Sequence, residues 1–181
     1  KPAASRYSTR TMESPPDRTP ADMVDHPRIF ISAAEPSGDR HAADLIRHLR
    51  EQIPGAQFVG VAGPLMRAAG CEAIDDLTDR SAMLLGALGL VGHAWKLLGR
   101  IDERVRRERF DLAIVVDSPT LHLPMAKRLK RAGLPVLYYI APQLWAWAPW
   151  RIRRVRARVD RLACLLPFEE PYFRQRGVEA T

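Results

Sequence analysis

The chain has 181 residues, 46% of them hydrophobic, which is enough for one packed core and at most two domains. Its formal charge is +7, with the excess carried mostly by arginine; this favours phosphate-bearing partners, although a solvated basic face reads the same way. No stretch reaches the roughly 18 apolar residues that a transmembrane helix needs. Cys71 and Cys164 have no metal-ligand spacing and read as two reduced thiols of a cytosolic protein.

Residues 1–26 read as a disordered tail. Pro2, Pro15, Pro16, Pro20 and the adjoining Pro27 are five of the 15 prolines, and large apolar residues are few. Such a stretch buries too little surface to offset its ordering entropy. It has no apolar core of a secretory signal, and its first residue is Lys1, so a non-native start is expected. Residues 27–181 read as one domain.

Strand and helix signals then alternate. Arg28 to Ala33 is a short apolar, β-branched run. Arg40 to Gln52 has Ala43, Leu45, Ile46 and Leu49 at helical spacing, ended by Pro54-Gly55. Phe58 to Val61 predicts a second strand. Pro64 to Ala69 predicts a short helix, with Gly70 as its C-terminal cap. Glu72 to Asp76 reads as a brief third strand. Met83 to Arg109 is mostly helical, with Val91, Trp95, Leu98, Ile101 and Val105 as its stripe. Leu112 to Val116 is an unbroken apolar run, as in a strand covered on both faces. Pro124 to Arg131 predicts a helix, Val136 to Ile140 a strand, and Arg151 to Val159 a basic helix. Leu162 to Leu166 predicts the last strand and Phe168 to Arg176 the last helix. This order predicts an α/β, Rossmann-like, doubly wound parallel sheet. Ligands then belong beyond the carboxyl ends of the strands.

The loops at those ends hold the candidate site residues. After the first strand, Ser37 and Asp39 suit a helix N-cap, Gly38 a tight turn, and His41 follows; an ordinary cap is the plain alternative. No GxGxxG or GxxxxGK[ST] pattern is present, so dinucleotide and P-loop binding are not supported. After the second strand, Gly60 and Gly63 allow a close backbone approach, to a ligand or merely within a turn. After Leu112 to Val116 come Asp117, Ser118 and Pro119. A carboxylate there lies in the crevice, which fits it as a general base, and capping the next loop is the alternative. After Val136 to Ile140 come Gln143, Trp145, Trp147, Trp150 and Arg151. Tryptophan faces stack on sugar rings or acyl chains, and Gln143 hydrogen-bonds hydroxyls. Arg151, Arg154 and Arg158 share one helical face that can grip phosphate.

Taken together, Glu35 to Ala43 (EPSGDRHAA), Phe58 to Met66 (FVGVAGPLM) with Gly70, Val116 to Pro119 (VDSP), Tyr138 to Trp147 (YYIAPQLWAW) with Arg151, and Leu166 to Glu169 (LPFE) resemble the lipid-A-disaccharide synthase family. These are GT-B glycosyltransferases of lipid A and lipopolysaccharide biosynthesis. The resemblance covers about Arg28 to the end. It implies the N-terminal, acceptor-side domain, with a C-terminal nucleotide-sugar domain absent from this chain and the isolated chain inactive. It also implies transfer from UDP-2,3-diacylglucosamine to 2,3-diacylglucosamine 1-phosphate, giving a β(1→6) disaccharide and UDP. Asp117 matches the catalytic carboxylate. Ser37, Gly38, Asp39, His41, Gly63, Ser118, Gln143, Trp145, Trp147 and Arg151 fall on the substrate side.

By the same resemblance no metal or other cofactor is needed, and the full-length protein is a candidate homodimer. It would lie in the cytoplasm, peripheral to the inner membrane, with Ser81 to Trp95 and Trp145 to Trp150 as candidate lipid contacts. The family pattern DSPDFN is broken here, with Thr120 and His122 in place of Asp and Asn, and Gly89 stands where Glu is usual. These departures motivate an alternative: a diverged, non-catalytic paralogue that binds a glycolipid or nucleotide sugar. A nucleic-acid-binding module has only charge in its favour and no motif, so no nucleic-acid partner is expected.

Overall fold

The computed structural model describes residues 26–75 and 87–181. Six strands form one sheet: β1 (Arg28–Ala33), β2 (Gln57–Val61), β3 (Cys71–Asp75), β4 (Leu112–Val116), β5 (Val136–Tyr139) and β6 (Arg161–Ala163). Their order is β3-β2-β1-β4-β5-β6, and every neighbouring pair is parallel. The chain steps outward from β1 to β3 and then returns to β4, beside β1. That return places the switch point between β1 and β4, where the loops leaving both strands diverge. The helices are α1 (Pro36–Gln52), α2 (Pro64–Ala68), α3 (Ala87–Arg107), α4 (Pro119–Arg131), α5 (Leu144–Trp147), α6 (Ile152–Arg158) and α7 (Glu169–Arg174), with a 3-10 turn at Pro149–Arg151. This is the doubly wound, Rossmann-like sheet that the alternation predicts.

Period-two alternation sends successive side chains to opposite faces. Ile29, Ile31, Ala33, Ile114 and Val116 meet Ala42, Ala43 and Ile46 of α1 and Met66 of α2. Phe30, Ala113, Val115, Val136 and Tyr138 meet Leu97 and Ile101 of α3, Met125 and Leu129 of α4, Val155 of α6 and Phe173 of α7. Both faces of β1 and β4 are therefore covered, which is why these strands read as unbroken apolar runs.

Several boundaries differ from the expectation, each for a local reason. The first helix begins at Pro36, not Arg40, because proline presets the helical φ at the first position. Its N-cap is Glu35, which makes no side-chain cap bond, so Ser37 and Asp39 are first-turn residues rather than caps of this helix. The fourth helix begins at Pro119 and carries Pro124 inside it. Pro124 falls in the second turn and lies on the exposed side, where the loss of one amide is tolerable. The four-residue α5 and the 3-10 turn are too short for a periodic signal. The last strand ends at Ala163, because the amides of Leu165 and Leu166 turn to the Glu169 carboxylate, each at 3.0 Å.

Gly60 does make a close approach, to β1 rather than to a ligand. A Cβ there would lie 1.8 Å from the Ile31 carbonyl oxygen, beside an irregularity in the β2–β3 register. The expected tail falls almost wholly outside the described residues, as do Ser81 to Gly86 of the proposed lipid-facing segment. Gly89 lies within α3, outside the residues whose side chains are described. Among the described residues, no helix is long and apolar enough to cross a membrane.

Candidate active site

The loops leaving β1, β4, β5 and β6 enclose a cleft of about 390 Å³. Ser37 and His41 come from the first turns of α1. Asp117 and Pro119 come from the end of β4. Ile140, Ala141, Pro142, Gln143 and Trp147 follow β5, and Leu165, Leu166 and Glu169 follow β6. Every lining residue lies beyond a carboxyl strand end, the position the sheet topology assigns to ligands.

The backbone is strained here. The non-glycine residues with positive φ among those described are Asp117 (52°), Ser118 (42°) and Ile140 (70°). Asp117 and Ile140 line the cleft and Ser118 lies between two of its lining residues. Each such conformation costs about 1–3 kcal/mol and persists only where its surroundings over-determine it.

At Asp117 the surroundings are explicit. Its amide donates to Tyr139 O at 3.2 Å. Its carbonyl accepts from Tyr138 Oη at 2.5 Å and from His122 Nδ1 at 2.7 Å. A carbonyl only accepts, so His122 carries its proton on Nδ1. Nε2 then accepts from Ser32 Oγ at 3.0 Å. His122 and Ser32 are fully buried, and burial pushes the imidazole down to about 4, so it is neutral at physiological pH.

The buried Glu169 organises the far wall. Its Oε1 accepts from Trp145 Nε1 at 3.1 Å, and its Oε2 takes the two amides of Leu165 and Leu166. Trp145 also meets Phe168 edge-to-face, with ring centroids 5.0 Å apart. Trp145 is thus held by the fold. Trp147, in contrast, is exposed and carries the Arg151 guanidinium over its ring at 5.2 Å. Such a ring presents a face to a sugar or acyl group.

The cleft brings together Ser37, His41, Asp117, Gln143 and Trp147 from the expected set. The others sit elsewhere. Gly38 is buried against Ala33 and Val116, where an added Cβ would meet ordinary contacts of 3.5 Å and 3.8 Å. Asp39 is buried, and both its oxygens cap α2, accepting from the amides of Leu65 and Met66 at 3.0 Å. Gly63 is the N-cap position of α2, beyond the carboxyl end of β2, and does not line the cleft. Ser118, Trp145 and Arg151 flank the lining residues. Sequence reasoning gave no role to Glu169, His122 or Tyr138. Of these, Glu169 had a visible signal, as the last residue of the LPFE block.

The arginines expected on one face are divided. Arg151 belongs to the 3-10 turn and stacks on Trp147. Arg154 and Arg158 face a separate groove of about 1000 Å³ between α3 and α4, with Trp95, Leu98, Leu121, Arg106, Lys127 and Arg131. Its carboxylate, Asp102, pairs with Arg128. Burial, then the neighbouring Arg154 and Arg131, lower the affinity of Arg158 for its proton.

Among the described residues, no group of three or more His, Cys, Asp or Glu side chains could hold a metal ion. Cys71 and Cys164 are free thiols, pushed by burial up to about 12 and about 11, so neither is a thiolate nucleophile near neutral pH.

The fold is shared with solved glycosyltransferases. MurG from Acinetobacter baumannii matches 78% of this chain and 41% of its own, with a TM-score of 0.53 and 16% identity. Anabaena HepE, solved in complex with UDP and glucose, matches 86% of this chain and 43% of its own, with a TM-score of 0.51 and 14% identity. At those identities the likeness concerns the fold alone, the Rossmann-like α/β arrangement found in GT-B proteins. Closer relatives are curated as lipid-A-disaccharide synthases. That of Solibacter usitatus is 42% identical over 158 residues, 86% of this chain. That of Myxococcus xanthus is 40% identical over 159 residues, 87% of this chain. The chain spans about two fifths of their length, 41% and 42% respectively. The family model described as lipid-A-disaccharide synthetase matches residues 29–181. The chain therefore belongs to the lipid-A-disaccharide synthetase family.

Proposed function

We propose that this chain is the acceptor-side domain of a glycosyltransferase that joins UDP-2,3-diacylglucosamine to 2,3-diacylglucosamine 1-phosphate. The products are the β(1→6) disaccharide and UDP. One observation carries the reading: in a chain of this family, Asp117 shares a cleft at the carboxyl ends of β1, β4 and β5 with Ser37, His41, Gln143 and Trp147.

In this reading the Asp117 carboxylate takes the proton of the acceptor 6-hydroxyl as its oxygen attacks the donor anomeric carbon. The bond from that carbon to the UDP oxygen breaks, and UDP departs with the electron pair. Ser37 and Gln143 hydrogen-bond sugar hydroxyls, and the Trp147 face stacks on the ring. Ile140, Pro142, Leu165 and Leu166 offer an apolar wall to the root of an acyl chain. The UDP end of the donor falls to the part of the relatives that this chain does not span.

Mass spectrometry of the product formed from these two substrates by the complete gene product tests the reading. A peak for the disaccharide, with release of UDP, is the expected result. A folded protein that makes none sinks it. The departures at Thr120 and His122 favour a second reading, a paralogue that binds without transfer. Binding of either substrate with no product would select that one.

The acylated substrates also imply contact with the cytoplasmic face of the inner membrane. The exposed rings of Trp95, Trp147 and Trp150 and the basic groove between α3 and α4 support this. The protein should sediment with vesicles rich in phosphatidylglycerol and be released by salt. Equal retention on neutral vesicles would argue against the electrostatic part.

A further inference from the structure

We infer that His122 is a positioning residue: with Tyr138 it clamps the Asp117 carbonyl and so fixes the backbone that presents the Asp117 carboxylate to the cleft. The inference rests on the reading of Asp117 as the base. It adds a role for two buried residues that touch no substrate.

Asp117 and Ser118 are consecutive residues with left-handed φ, at 52° and 42°. Neither is glycine, so the turn does not hold itself. The amide of Asp117 is tied to Tyr139 O. Its carbonyl receives two donors from different elements, Tyr138 Oη from β5 and His122 Nδ1 from α4. The His122 amide also donates to Ser118 O at 3.0 Å, so one residue grips both strained positions.

The directions of these bonds are fixed. Tyr138 stays a phenol, since burial raises it well above its ordinary value, and donates. Ser32 Oγ, on the neighbouring strand β1, donates to His122 Nε2 and so selects the tautomer with its proton on Nδ1. The chain of donors runs from Ser32 through His122 to Asp117. It spans the switch point between β1 and β4. Filling core volume would need only an apolar side chain at position 122; a fully satisfied polar network specifies one geometry instead.

The test is steady-state transfer by the complete gene product, with kcat and KM measured separately. His122→Leu keeps the bulk and removes the donor. It should lower kcat about 100-fold, with KM for both substrates within about twofold, because a small misplacement of a reacting group costs that much. His122→Asn retains a side-chain N–H at the equivalent of Nδ1 and should recover to within about fivefold of wild type. Tyr138→Phe deletes one oxygen and should lower kcat about tenfold.

A folded His122→Leu with wild-type kcat overturns the proposal. So does a loss that asparagine does not restore. Where His122→Leu fails to fold, Tyr138→Phe decides: a tenfold fall supports the clamp and an unchanged kcat overturns it. Activity retained by Asp117→Asn is a separate failure. It removes the reading of Asp117 as the base, and the proposal with it.

Discussion

Asp117→Asn lowers transfer by the complete gene product about 1,000-fold, with little change in substrate affinity. General-base catalysis by a positioned side chain contributes about 100- to 10,000-fold, and a factor of 1,000 corresponds to about 4 kcal/mol of barrier. Asparagine is the right replacement for a structural reason. Position 117 has a φ of 52°, and asparagine tolerates the left-handed region, whereas alanine there would add strain. The amide cannot take the proton of the attacking hydroxyl. It still fills the space and hydrogen-bonds the sugar. The measurement is kcat under saturating substrates, with a thermal melt to verify the fold. A variant that folds and keeps more than about a tenth of the wild-type rate would move the base elsewhere.

Gly60→Ala strongly destabilises the fold. The added Cβ would lie 1.8 Å from the Ile31 carbonyl oxygen and 2.8 Å from its carbon, and both belong to backbone in the centre of the sheet. No rotamer change relieves a clash with backbone. β1 and β2 would have to separate, against a sheet packed on both faces. The expected loss is about 4 kcal/mol or more, a large share of a stability of about 5–15 kcal/mol. Gly99→Ala is the matched control. It lies exposed within α3, where an added Cβ meets nothing within 4 Å, and alanine should stabilise the helix by about 0.5–1 kcal/mol. Urea unfolding of the two variants beside wild type reads both effects. Equal midpoints for Gly60→Ala and wild type would contradict the packing of β1 against β2.

Strand and helix order was legible because it is written locally. Arg28–Ala33 and Leu112–Val116 are covered on both faces, and their apolar runs coincide with β1 and β4. Asp117 was legible as a cleft residue because it follows such a run directly. What escaped is carried by partners distant in sequence. Asp39 reads as a local cap, yet its partners are Leu65 and Met66, 26 and 27 residues on. Trp145 reads as a sugar platform, yet its indole is held by Glu169, 24 residues away. His122 reads as a broken family pattern, yet it bonds Ser32 across 90 residues and Asp117 within its own turn. Side chains of one type are thus divided between structure and site by tertiary contacts that no local spacing records. The arginines show the same: Arg151 joins Trp147, while Arg154 and Arg158 face the groove beside α3.

That division leaves two cavities competing for the acceptor, and one titration separates them. A short-chain analogue of 2,3-diacylglucosamine 1-phosphate is added to the isotopically labelled 181-residue chain, and amide and indole resonances are followed by NMR. Binding in the cleft perturbs Ser37, His41, Asp117, Gln143 and the Trp147 indole together. Shifts confined to Trp95, Lys127, Arg131 and Arg158, with Asp117 unmoved, would place the acceptor in the basic groove and contradict the account.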